Sequence, residues 1–503
     1  MQAQRSHIIA SLLLALLLLS ACNRNQANDP TTDTAVPATA TTATETTVTN
    51  AAAMTETAPL TTAAPISAAN AVTASAAMTA TVPATTTATV TSAATITATE
   101  AVSASVSTTA TTAGQWGTLL DVQFIETVAA AEIGMLSAGF YPPDNLVDAQ
   151  YAVDIYRLTL QTSTELGEPI AGQADLFVPR VEAETQFPVF GYAPGTTGLG
   201  DGCAPSQEYT LGRQWGSYRT HMLSYAAQGF IGVLPDGMSY NDPERPHEYF
   251  IAELEAHMLL DASRAAYRFL AEPPAEVKAR PLDALFFAGY SNGGHTAFAA
   301  KDFAADHAPE LPLRGVISHG ATTNVETLLR ESPIFTPYLI YAYRHFFGAE
   351  VISPEQVFLD DWLPTFDQDA LTKCVDDIFV YYNSDPQGMY RPEFRAALLD
   401  GRLADQYPLF KAVLDANYAG TFGGFDIPIA FFQGTGDYVV TPASQASFAT
   451  LLCEQAQPVT YVSLPTVEHV NTRQASFKAT IAWMQGITNG QTPQSNCAQI
   501  AGD

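Results

Sequence analysis

From Trp116 onward short apolar runs alternate with longer stretches of helical character, and this alternation constrains the chain more than any other feature. Ala152 to Leu160 (AVDIYRLTL) and Ala174 to Val178 (ADLFV) read as early strands joined by a turn through Gly167, and Phe187 to Ala193 (FPVFGYA) as a third. Phe230 to Leu234 (FIGVL), Ala284 to Ala288 (ALFFA) and Leu313 to Ser318 (LRGVIS) follow, the first two being continuously apolar, as in strands covered on both faces. Helical stretches at Tyr218 to Gln228, Glu248 to Leu270 and Gly293 to Ala305 separate them. This order predicts an α/β fold with a mainly parallel central sheet, helices on both faces, and ligands at the carboxyl ends of the strands. The alternation stops over residues 322–424, where Pro333, Pro337, the aromatic run Tyr338 to Phe347, Trp362 and Tyr381 indicate an inserted helical cap. Strand signals return at Ile427 to Phe432 and Val459 to Leu464, and a last helix is expected through Phe477 to Gln485, so residues 114–503 form the folded domain.

The segment before that domain has a different character. Arg5 and His7 precede an apolar run, Ile8 to Leu19, too short to span a bilayer but suited to a signal-peptide core. It ends in Leu19-Ser20-Ala21-Cys22, which looks like the lipobox of a bacterial lipoprotein; residues 1–22 are then the signal peptide and Cys22 the lipidated first residue of the mature chain. Residues 23–113 are dominated by Thr, Ala, Val, Ser and Pro and cannot bury enough apolar surface to offset their ordering entropy, so a disordered tether is expected. As a coil, roughly 85 residues span about 50 Å. The expectation is an extracytoplasmic, cell-surface protein held to a bacterial membrane through its N-terminal lipid and acting as a monomer. A formal charge of −29 leaves nothing to neutralise a run of phosphates and excludes nucleic acid as a partner. Beyond Cys22 the cysteines are Cys203, Cys374, Cys453 and Cys497, which in an exported chain favour two disulfides with three connectivities open. The absence of C-x-x-C spacing argues against a metal site, and His247-Glu248 lacks the second histidine of H-E-x-x-H because position 251 is Ile. His257 is accordingly expected on a helix surface.

The chemistry centres on Gly289-Tyr290-Ser291-Asn292-Gly293-Gly294. A G-x-S-x-G match arises by accident about 0.1 times in a chain of this composition, so context decides its meaning. Here it follows the buried run ALFFA and opens a helix, the strand-turn-helix setting of an exposed nucleophile. A serine hydroxyl attacks only when a base takes its proton and an acid orients that base. Ile427 to Phe432 leads into Gly434-Thr435-Gly436-Asp437, and Val459 to Leu464 into Glu468-His469. Ser291, Asp437 and His469 therefore arrive at one sheet edge in the order nucleophile, acid, base. Asp426 lies at the wrong end of its strand, and Glu468 is too close in sequence to reach its neighbour's imidazole. The developing oxyanion needs two donors: the backbone N–H of Asn292, and one from Pro194-Gly195-Thr196-Thr197-Gly198, with Thr196 preferred and Thr197 the alternative. His295 is expected to pack or hydrogen-bond, and His319 is a candidate pocket residue.

These motifs carry a resemblance to the α/β-hydrolases of the secretory lipase type. GYAPGTTGLGDGCAPS (Gly191 to Ser206) resembles that family's loop after the third strand, GYSNGGH its nucleophile elbow, and YRLTLQTSTELGEPIAGQADLFVP (Tyr156 to Pro179) its leading hairpin. The similarity runs from about Trp116 to Met484. It implies an α/β-hydrolase fold, hydrolysis of carboxylic esters of small-molecule or lipid type through an acyl-enzyme, a cap between the sixth and seventh core strands, and no cofactor. It also implies that Cys203 pairs with Cys374 and Cys453 with Cys497. Two positions depart from the pattern: Asn292 stands where Gln is more usual, and Pro194 replaces the histidine of an H-G-T-T-G loop. The rival readings are a serine peptidase of prolyl-oligopeptidase type, against which the missing propeller repeats count, and an inactive surface binding protein on the hydrolase scaffold.

Overall fold

The computed structural model describes residues 115–500 apart from 241 and 243. The expected signal peptide, the lipobox Cys22 and the tether at 23–113 lie outside the described residues. Among the described residues nine strands form one sheet: β1 (Leu119–Val128), β2 (Val153–Ser163), β3 (Pro169–Pro179), β4 (Thr185–Ala193), β5 (Ile231–Pro235), β6 (Ala279–Tyr290), β7 (Leu313–His319), β8 (Ile429–Gly434) and β9 (Val459–Leu464). Their order is β1-β2-β3-β5-β4-β6-β7-β8-β9. The first pairings, from β1 to β5, are antiparallel, and those from β5 to β9 are parallel. A mostly parallel sheet must be covered on both sides. Three helices, α1 (Ala130–Phe140), α2 (Tyr218–Ala226) and α6 (Thr472–Thr488), cover one face; α3 (Ala252–Ala271), α4 (Asn292–His307) and α5 (Pro442–Glu454) cover the other. Neighbouring residues of β6 show the division. Phe286 meets Trp483 of α6 edge-on at 6.2 Å, while Phe287 fills the space over Gly191 beside Leu259 of α3. This is the α/β-hydrolase fold that the strand order and the elbow predict.

Three regions differ from the sequence reading, one of them α1, a helix not expected there. β1 was not anticipated, because its LLDVQFIETV carries no clean alternation: Leu120, Phe124 and Ile125 are exposed. Its pairing with β2 slips between Leu119 and Asp121 and again between Phe124 and Glu126, and each slip exchanges the faces that a period of two assigns. The helix expected from Glu248 begins only at Ala252, since Phe250 holds a positive φ of 57° that no helix accommodates. The insertion between β7 and β8 consists of short helices from Val325–Glu331 to Pro408–Ala416.

The disulfides join Cys203 to Cys374 and Cys453 to Cys497, the pairing that the resemblance implies. The first ties the segment after β4 to the cap, and the second ties α5 to the C-terminal segment. In the chain-entropy account, closing spans of 171 and 44 residues stabilises by about 5 and about 4 kcal/mol respectively. Urea unfolding of a Cys203→Ala/Cys374→Ala variant should therefore show a loss of up to about 5 kcal/mol, larger than that of the Cys453→Ala/Cys497→Ala variant; an unchanged midpoint would show that the bridge is not formed.

Candidate functional site

Ser291 ends β6 and starts α4 with φ 55° and ψ −119°, a conformation that costs a non-glycine residue about 1–3 kcal/mol. Close packing enforces it. A Cβ on Gly289 would lie 1.8 Å from the Gly293 carbonyl oxygen, one on Gly293 2.0 Å from that of Ala193, and one on Gly294 2.2 Å from Cβ of Ala321. The corner is pinned by backbone bonds: the Ser291 N–H donates to His319 O at 3.2 Å, and its carbonyl accepts from Gly294 N and Thr322 N at 3.0 Å each. The glycines that read as a motif are thus the only residues that let strand, turn and helix approach this closely.

The other expected residues converge on the same edge. Asp437 follows β8, and its Oδ1 accepts the N–H groups of Val439 and Val440, each at 2.9 Å. Its Oδ2 accepts from Gln433 Nε2 at 3.2 Å and lies 2.7 Å from His469 Nδ1. With Nδ1–H donating to the carboxylate, the His469 Nε2 carries the free lone pair. The His469 ring packs on Tyr290, the residue before Ser291, with centroids 4.8 Å apart, and the Arg473 guanidinium sits 4.4 Å over the same tyrosine ring. Among the described residues the Ser291 hydroxyl makes no hydrogen bond with His469. Ser291, Asp437 and His469 are 7%, 4% and 4% exposed, so the edge is covered. Asp426 and Glu468 are exposed.

The loop after β4 is held from two sides. Thr196 Oγ1 bonds the Tyr249 hydroxyl at 2.8 Å and Thr197 Oγ1 that of Tyr240 at 3.1 Å, while Tyr240 donates to Gly198 O at 2.6 Å. The cap supplies Val375, whose N–H donates to Thr197 O at 2.8 Å. Gly195 has no room for a side chain, because Tyr290 would lie 2.7 Å from its Cβ. Among the described residues, the backbone N–H groups of Thr196, Thr197 and Asn292 donate to no protein group. Behind this loop a cavity of about 30 Å³ is lined by Thr197, Tyr240, His247, Glu248, Glu255 and Asn292. Burial, with Asp175 nearby, pushes the Asp236 carboxyl on that wall up to about 6.

Three further histidines are committed to interior partners. His295 is fully buried and bonds at both ring nitrogens, to Glu255 at 2.6 Å and to Asn417 O at 2.8 Å. His319 is fully buried, stacked on Phe432 and bonded to Ser476, so it does not open into a pocket. His257 is not the surface residue its helical position suggests. It is half-buried, bonded to Ser163 and stacked on His307 at 3.8 Å, because α3 lies with that turn against β2 and α4. Among the described residues no cluster of three His, Cys, Asp or Glu side chains could hold a metal ion, and no helix is long and apolar enough to cross a membrane. The sequence reading missed Glu255, Tyr249, Tyr240 and Asn417. Only Glu255 leaves a trace, as an acid in the stretch Leu254 to Leu260, whose other residues apart from His257 are apolar.

No family model matches the sequence and no curated protein matches it. Solved structures do match in fold. The rice cell wall degrading esterase LipA from Xanthomonas oryzae superposes with a TM-score of 0.59 at 19% identity, over 75% of this chain and 99% of that one. A protein from Legionella pneumophila superposes with a TM-score of 0.62 at 18% identity, over 75% and 100%. Candida antarctica lipase A gives 0.56 at 17% identity, over 76% and 84%.

Burial, aided by Arg473, depresses the His319 imidazole to about 3, and burial with His307 and Arg264 does the same for His257. Both rings are neutral in the folded protein and gain protons on unfolding below about pH 6.5. The unfolded chain therefore binds more protons between about pH 6.5 and 3, and stability is full above that window and lost as pH falls through it. Asp236 acts in the opposite sense between about pH 4 and 6. The melting temperature should fall from pH 7 to pH 4 and fall less steeply in His319→Asn; parallel slopes would refute the assignment for that ring.

Proposed function

We propose that the chain is a serine carboxylester hydrolase acting on small-molecule or lipid esters through an acyl-enzyme. The observation that carries this reading is the His469 Nδ1 to Asp437 Oδ2 contact of 2.7 Å beside a strained Ser291. That contact sets the tautomer with Nε2 as base. The Ser291 hydroxyl bonds to Nε2 in the reacting complex, a contact that commonly tightens only with substrate bound. His469 then takes the Ser291 proton as the oxygen attacks the ester carbonyl. The N–H groups of Asn292 and Thr196 receive the oxyanion. Thr196 is favoured over Thr197, whose carbonyl is tied to the cap and whose hydroxyl faces the rear cavity. The protonated histidine gives its proton to the leaving alcohol, and the same base then activates water to release the acid. Asp437 stabilises the imidazolium in both halves. No step calls for a cofactor.

The names of the neighbouring structures support an ester as substrate, since two of them are an esterase and a lipase. The lipobox at Cys22 and two disulfides, which persist in oxidising surroundings, support an extracytoplasmic, lipid-anchored protein.

Ser291→Ala should lower turnover of a nitrophenyl ester by about 10⁶, and Asp437→Asn by about 10⁴ through loss of the correct tautomer. A fluorophosphonate should label the wild-type chain once, by mass, and leave Ser291→Ala unlabelled. Hydrolysis that survives Ser291→Ala in purified protein would sink the reading, and faster cleavage of a proline anilide than of the ester would transfer it to a peptidase.

A further inference from the structure

We propose that Glu255 and His295 are positioning residues that fix the Asn292 oxyanion donor and connect it to the C-terminal end of the cap, an inference that rests on the ester-hydrolase reading. Glu255 projects from α3 and is 2% exposed. A buried carboxylate is tolerated only when its oxygens are bonded, and here they are. Oε1 accepts from the Phe250 N–H and from the Asn292 side-chain amide, both at 2.9 Å. Oε2 accepts from the Thr296 hydroxyl at 3.1 Å and lies 2.6 Å from His295 Nδ1. The opposite ring nitrogen, Nε2, faces the Asn417 carbonyl at 2.8 Å and must carry a hydrogen, because a carbonyl has none to give.

Three of these partners, Asn292, His295 and Thr296, lie in the first turn and a half of α4, directly after Ser291. The carboxylate therefore grips the start of the helix whose first N–H is the proposed oxyanion donor. Asn292 is held at both ends: its backbone by the strained corner, its side chain by Glu255. This accounts for asparagine where the resembling family more often has glutamine, as the amide of Asn292 already reaches the carboxylate.

The same network meets the cap twice. Asn417 follows the last cap helix, Pro408–Ala416; besides accepting from His295, it accepts the Ala252 N–H through Oδ1 at 2.8 Å and donates to Val413 O at 2.9 Å. Phe250, in its left-handed conformation, packs edge-on to His295 at 5.0 Å and accepts from Tyr343 of the cap helix Thr336–Phe347 at 3.2 Å. A displacement of the cap's return segment would be felt at His295, then Glu255, then Asn292.

The test compares Asn292→Ala, which keeps the backbone donor but releases it from Glu255, with Glu255→Gln and the double variant. Active serine is counted from the nitrophenyl burst, so kcat is expressed per working site and misfolded protein does not enter. Each single variant should lower kcat by roughly 10- to 100-fold, short of the loss of a whole oxyanion donor, with KM changed by less than about 3-fold. The double variant should be no slower than the slower single, because both act through one contact. Asn292→Ala keeping kcat within about 2-fold of wild type would overturn the proposal, as would losses that multiply in the double variant. Should Glu255→Gln fail to fold, the kcat against KM split of Asn292→Ala decides alone. A wild-type chain with no burst and no ester turnover would instead overturn the ester-hydrolase reading itself.

Discussion

The site depends on one backbone constraint, the positive φ of Ser291 at the corner between β6 and α4. An L-residue stays there only when its surroundings over-determine it. They do so by contact: the Gly293 oxygen over Gly289, the Ala193 oxygen over Gly293 and Ala321 over Gly294 leave no volume for a Cβ. Because the last two of those contacts come from β4 and from the chain after β7, the corner is complete only once the parallel sheet is assembled. Local strain in one turn is thus stabilised by the packing of three strands, which also brings the loop after β4 alongside the first N–H of α4.

The cap shares that loop. Thr197 is bonded to Val375, Cys203 to Cys374, and Gly200 is packed so closely beneath Leu371 that a Cβ would lie 2.1 Å from its carbonyl oxygen. At its other end the cap returns through Asn417 to His295, and through Gly420 and Gly423, whose N–H groups are accepted by Asp302 of α4. The insertion is therefore fastened beside both proposed oxyanion donors, one near each end. Ser291 itself is only 7% exposed.

The parallel strands were legible because runs such as ALFFA and FIGVL are buried on both faces and need no alternation to be recognised. The elbow glycines were legible because steric exclusion admits only one residue type. Asp437 and His469 could be located because strand ends set where their loops emerge. β1 was not legible, since its bulges against β2 reverse its faces twice. Nor was the burial of His257, which depends on how α3 is rotated against its neighbours.

What the sequence determined by itself is whatever depends on neighbours along the chain: the strand-turn-helix corner and the order in which Ser291, Asp437 and His469 follow strand ends. What only the tertiary structure decided is what depends on residues far apart in sequence meeting in a low-dielectric interior. Glu255 has no motif, yet it gathers Phe250, Asn292, His295 and Thr296 because α3 and α4 pack side by side. Thr196 and Thr197 are distinguished by partners far away in sequence, Tyr249 for the first and Tyr240 and Val375 for the second. A buried polar atom must find a partner wherever the fold supplies one, and no local pattern specifies which it will be.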